Sequence, residues 1–129
     1  MPADPNELAT IPLFELLTDD ERREVAAWFD VQEASPGVRL VGEGASGYSF
    51  FVLLEGGAAV TSDGAELAVL GPGDFFGELA ILGDGRRTAT VTTTSPARLL
   101  VLFGTEFRRL QQELPAAAAK LRAAAKMRT

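Results

Sequence analysis

With 129 residues, a formal net charge of −6 and neither cysteine nor histidine, the chain suits a single domain with a core of ordinary size. The missing residue types exclude disulfides, iron–sulfur clusters, thiol catalysis, Ser–His–Asp chemistry, the usual zinc sites and His-ligated haem. The acidic balance, with basic residues scattered or near the C-terminus, offers no basic face for nucleic acid.

No apolar run is long enough to span a bilayer, and the N-terminus has neither a basic start nor an apolar signal core. A cytoplasmic protein without a membrane partner is therefore expected. Residues 1–30 read as a helical segment. The cluster Ile11-Pro12-Leu13-Phe14-Glu15-Leu16-Leu17 predicts a short helical turn packed onto the domain. Thr18-Asp19-Asp20-Glu21 has the form of a capping box, with Thr18 capping the helix and Glu21 reaching back. Val25, Ala26, Trp28 and Phe29 give the following helix an apolar face through about Asp30. Trp28 reads as a core or inter-helix residue, with an exposed docking role as the other reading.

From residue 31 to 103 the pattern changes to short strands. They are expected at 31–34, 38–41, 50–54, 58–61, 67–70, 88–93 and 98–103, each bounded by Gly, Pro, Ser or Asp. Strands of this length and spacing predict a β-barrel or sandwich. Ser62-Asp63-Gly64 reads as a hairpin turn. Residues 104–129 then predict two helices. The first starts at Gly104-Thr105-Glu106 and runs through Phe107 and Leu110 to about Gln112. The second opens at Pro115, a residue suited to a first helical turn, and is alanine-rich.

The chemistry concentrates in residues 71–91. Gly71-Pro72-Gly73-Asp74 ends the preceding strand. In Phe76-Gly77-Glu78-Leu79-Ala80 a glycine precedes residues of good helix propensity. Unpaired backbone N–H groups at the start of such a turn, with the helix dipole behind them, make an anion site. Arg86 and Arg87 follow, leading into the strand pattern Thr88-Ala89-Thr90-Val91. One short loop thus has amides at one end and an arginine at the other, which fits a phosphate. Glu78 would repel that phosphate unless the ligand also offers a hydroxyl, because an ionised carboxylate only accepts hydrogen bonds. A sugar whose phosphate is folded back against it offers both. The alternative for Glu78 is a helix-dipole partner in the first turn.

Phe76-Gly77-Glu78-Leu79-Ala80 followed by Arg87-Thr88-Ala89-Thr90-Val91 resembles the phosphate-binding cassette of cyclic nucleotide-binding domains. These occur in regulatory subunits of cyclic-nucleotide-dependent kinases, in cyclic-nucleotide-gated channels and in the bacterial catabolite activator protein. The likeness extends over nearly the whole chain. It implies a mainly β, jelly-roll-like barrel with an N-terminal helical segment and two C-terminal helices, no catalysis and no metal. By the resemblance, Gly77, Glu78, Leu79, Ala80, Arg87, Thr88 and Ala89 would contact a cyclic nucleotide held as a ligand and not as a cofactor. Glu78 would take the ribose 2′-hydroxyl and Arg87 the cyclic phosphate, with amides near Leu79, Ala80 and Thr88 completing the cradle.

Further implications concern the base and the output. Thr88 stands where the family often has threonine in sites accepting cyclic GMP, yet it is also an ordinary strand residue. The resemblance puts cyclic AMP slightly ahead and implies weak discrimination. The second C-terminal helix would act as a lid over the base through Leu121 or Arg122; read alone, it is a surface helix of high intrinsic propensity. A homodimer or a separate effector would work through that helix. Tyr48 departs from the family's frequent aspartate and cannot neutralise Arg87. That departure supports the alternative of a degenerate fold serving as an interaction or dimerisation module. A metal-dependent β-barrel enzyme is disfavoured by the missing histidines. There is no room for a helix-turn-helix domain, so a complete transcription factor is not expected.

Overall fold

The computed structural model describes residues 3–41, 49–77 and 89–127. Eight strands form two four-stranded antiparallel sheets: β1 (Asp30–Ala34), β2 (Arg39–Val41), β3 (Ser49–Glu55), β4 (Ala58–Ser62), β5 (Ala65–Leu70), β6 (Phe75–Phe76), β7 (Thr90–Thr93) and β8 (Ala97–Phe103). The inner sheet has the order β1-β8-β3-β6 and the outer sheet the order β2-β7-β4-β5. The expected strands are all present, and the sheets carry flanking helices. Among the described residues the ladders form a two-sheet jelly roll and do not close into one barrel.

Helices cover the other face of the inner sheet. They are α1 (Pro5–Leu8), a 3-10 turn (Pro12–Phe14), α2 (Asp19–Ala26), α3 (Gly104–Glu113) and α4 (Pro115–Met127). The inner sheet is therefore buried on both sides, which explains the uninterrupted apolar runs of β3 and β8. Phe50, Val52, Leu100 and Leu102 join the helical cluster, whereas Phe51, Leu53, Leu99 and Val101 join the cluster between the sheets. Successive strand residues point to opposite faces, so each strand serves both cores.

The N-terminal segment opens with a short helix, α1, ahead of the expected turn at 11–17. Asp4 caps α1 by accepting a hydrogen bond from the Asn6 amide at 2.9 Å, and Pro5 opens the helix. The capping box of α2 forms as expected: the Thr18 amide donates to Glu21 Oε1 at 2.8 Å and the Glu21 amide to Thr18 Oγ1 at 3.1 Å. The helix stops at Ala26, earlier than the apolar pattern indicates, and Asp30 opens β1. Trp28 and Phe29 lie in the connection. Trp28 packs against the helical core, with the Arg109 guanidinium 5.5 Å from its ring centroid.

Turn chemistry holds the sheets in register. Asp63 and Gly64 both have positive φ, at 51° and 77°, which makes Ser62–Ala65 a tight two-residue hairpin. Buried Thr93 pins the turn before β2: its hydroxyl donates to Ser35 O at 2.7 Å and accepts from the Val38 amide at 2.8 Å. Gly56, between β3 and β4, is required on two counts. Its φ is +88°, and a Cβ there would lie 2.3 Å from Pro96 O. Gly56→Ala should therefore cost about 1–3 kcal/mol in urea denaturation. Gly64→Ala, with nothing within 4 Å of its Cβ position, should cost less because only the torsional strain remains. Equal losses would show that the approach of Pro96 does not constrain Gly56.

Candidate ligand site

Two described segments flank the loop in which the sequence places an anion site. On the entry side, Gly71 and Asp74 close a turn on themselves, the Gly71 amide donating to Asp74 Oδ2 at 2.8 Å and the Asp74 amide to Gly71 O at 3.0 Å. The turn is clamped to β3 by the Gly73 amide on Leu53 O at 2.7 Å and the Leu53 amide on Asp74 O at 2.8 Å. Phe75 and Phe76 then form the edge strand β6, paired with Val52 and Phe51. The Phe76 ring stacks on Phe51 with centroids 4.9 Å apart, and the Phe75 ring meets Phe50 at 5.6 Å. Phe76, the first residue of the cassette motif, is the last residue of this strand.

Gly77 is buried with φ +76°. A residue with a Cβ resists that torsion, so the glycine permits the chain to turn sharply as it leaves β6. On the exit side, half-buried Ala89 leads into β7, which lies inside the outer sheet between β2 and β4. Residues 78–88 thus connect the edge of the inner sheet to the middle of the outer one. Glu78, Leu79, Ala80, Arg86, Arg87, Thr88 and Tyr48 lie outside the described residues. Of the expected contacts in the cassette, the structure places Gly77 and Ala89, one at each end of that connection.

The family model for the cyclic nucleotide-binding domain matches residues 31–113. The chain belongs to the cyclic nucleotide-binding domain family. It is 38% identical over 105 residues to the cAMP-dependent protein kinase regulatory subunit of Colletotrichum orbiculare, covering 80% of this chain and 27% of that one. Among solved structures, the N-terminal domain of a transcriptional regulator from Streptomyces coelicolor A3(2) superposes with a TM-score of 0.79 at 32% identity, covering 95% of this chain and 91% of that one. The Thermus thermophilus catabolite activator protein gives 0.78 at 30% identity, covering 91% and 57%. The chain spans about a quarter of the length of the first curated relatives it matches.

The two remaining candidates sit on α4, and their surroundings differ. Leu121 is 2% exposed and belongs to the helical core with Ile11, Leu13, Phe14, Ala117 and Ala118. Arg122 is exposed. Between α4 and α2, Lys120 Nζ donates to Glu21 Oε1 at 2.6 Å. The Lys120 ammonium, with the Thr18 amide behind it, holds the Glu21 carboxyl below its ordinary range. That contribution to stability is present above the ordinary glutamate range and is lost as pH falls through the depressed value. Sequence reasoning recognised the capping glutamate but missed its second partner, because nothing local indicates a contact 99 residues away.

Clefts lie elsewhere among the described residues. One, of about 580 Å³, runs between α1 and the 71–74 turn over Leu53 and Leu54; another, of about 550 Å³, runs beside Arg98, Glu33 and Glu55. Arg98 is committed there, donating to both Glu7 carboxylate oxygens at 2.6 and 2.8 Å and to Glu55 at 3.3 Å. Glu7 and then Glu55 raise its pKa further. Among the described residues no group of acidic side chains gathers as a metal site, and no helix is long and apolar enough to cross a membrane.

Proposed function

We propose that this chain is a cyclic-nucleotide sensor that takes cyclic AMP, and cyclic GMP with little discrimination, at the 76–91 segment and passes ligand state to α4. The observation that carries this reading is the cassette itself: Gly77, Glu78 and Arg87 stand at the family's spacing inside the matched region. Amides near Leu79, Ala80 and Thr88 would meet the cyclic phosphate together with Arg87, and Glu78 would accept from the ribose 2′-hydroxyl. Relatives named as cAMP-dependent kinase regulatory subunits support cyclic AMP as the first ligand to test. The output would run through α4 to an effector or a second copy. The reading of a fold that has lost its ligand rests on Tyr48 alone, and both charged cassette residues speak against it.

The role of Glu78 is tested with a ligand lacking the hydroxyl. Glu78→Gln should weaken cyclic AMP binding, since a neutral acceptor makes a weaker bond than a carboxylate. The 2′-deoxy analogue should bind the native protein poorly and lose little more in the variant. Calorimetry on the four combinations reads the coupling directly. Additive losses would place Glu78 away from the ribose, as a partner of the helix dipole only.

A further inference from the structure

The helices lie against the inner sheet, and the outer sheet turns its other face to solvent. Two ladder rows cross that face. One runs Arg39, Thr92, Ala59 and Val69, and the other includes Thr61 and Glu66. Their strand neighbours Val60, Leu70 and Val91 belong to the cluster between the sheets, so both rows point outward. A bulge in β5 adds one residue more. Val60 pairs with Ala68 and Thr61 with Glu66, which leaves Leu67 between them as the extra residue. Glu66, Leu67 and Val69 thus crowd the same side of the sheet edge. Val69 and Leu67, 66% and 62% exposed, are the most exposed large apolar side chains among the described residues.

The charges on this face are divided between its two edges. Arg39 is exposed on β2 and Glu66 on β5, and neither forms an ion pair among the described residues. Between them lie the small, half-buried Ala59, Thr61 and Thr92. We propose that two copies of the chain associate here, stacking their outer sheets about a two-fold axis near the strand direction. That axis lays β2 of one copy across β5 of the other, so Arg39 meets Glu66 twice in each pair. The Arg39 stem then covers Leu67 and Val69, and the small residues at the centre let the sheets close. A two-fold axis running across the strands would set Arg39 against Arg39 instead. Addition edge to edge along β5 is disfavoured, because the bulge breaks the regular row of amides and carbonyls that a new strand needs.

A face four strands wide and about five residues long covers roughly 300 Å² on each copy. That is small for an interface, so a dissociation constant on the order of 0.1 mM is expected. Sedimentation equilibrium of the ligand-free full chain, up to about 1 mM, reads the association. Arg39→Glu and Glu66→Arg each bring like charges together, and each alone should weaken it about tenfold or more. An equimolar mixture of the two variants should recover the native affinity within about threefold, because every charged contact across the mixed pair again joins opposite signs. Both positions are exposed, so the variants should unfold in urea as the native chain does. A chain that stays monomeric at about 1 mM overturns the proposal. So does a dimer indifferent to both reversals, which would place the contact elsewhere, as on α4. A mixture no stronger than either variant alone also overturns it.

Discussion

Arg87→Ala is expected to weaken cyclic nucleotide binding by about tenfold to a hundredfold or more, and to leave thermal unfolding of the ligand-free protein nearly unchanged. A hydrogen bond to a charged group contributes roughly 1.5–3 kcal/mol, and the cyclic phosphate has one such side chain to rely on at this spacing. The chain carries a net charge of −6, so a phosphate would have to be held by local geometry and not by a general attraction. Arg86 should point to the other face at the strand entrance, since neighbours along a strand alternate. Arg86→Ala should then cost little. Titration of both variants by calorimetry checks the pair, and a larger loss for Arg86→Ala would shift the cassette by one residue.

The largest effect on stability is expected at Phe50. Its ring is 1% exposed, and it sits between Phe29 and Phe75 at the boundary of the inner sheet and the helices. Phe50→Ala should cost about 3–5 kcal/mol, from lost burial and the cavity left behind. That is a large share of the roughly 5–15 kcal/mol that keeps a domain folded. Urea denaturation should show a midpoint moved far down, or no folded baseline at 37 °C. Phe103, 47% exposed at the end of β8, is the control: Phe103→Ala should stay within about 0.5 kcal/mol. A loss of under about 1 kcal/mol at Phe50 would mean that its ring is not part of a close-packed core.

Much of the fold was legible because its signals are local. The Thr18–Glu21 capping box, the Asp63-Gly64 turn and Pro115 at the head of α4 each depend on residues within a few positions of one another, and each stands where the sequence places it. The two-residue strand β6 was not legible. Phe75 and Phe76 carry no alternation, and their pairing with Val52 and Phe51 is a long-range event. The early end of α2 has a similar cause: Trp28 and Phe29 continue the helical apolar period, but their burial comes from packing after the helix has stopped. The burial of the inner sheet on both faces explains why Phe50-Phe51-Val52-Leu53 shows no period at all. Residue types and spacing nominate the cassette in the sequence, whereas the docking of Leu121 and the Lys120–Glu21 pair depend on how α4 folds back over the N-terminal helices.

The account stands most directly on one titration: the full chain against cyclic AMP and cyclic GMP, side by side, by isothermal calorimetry. Saturable one-to-one binding of both is predicted, with preference of about tenfold or less, because one neutral hydrogen bond from Thr88 contributes only about 0.5–1.5 kcal/mol. A folded protein that shows no binding of either nucleotide at millimolar concentration would contradict it.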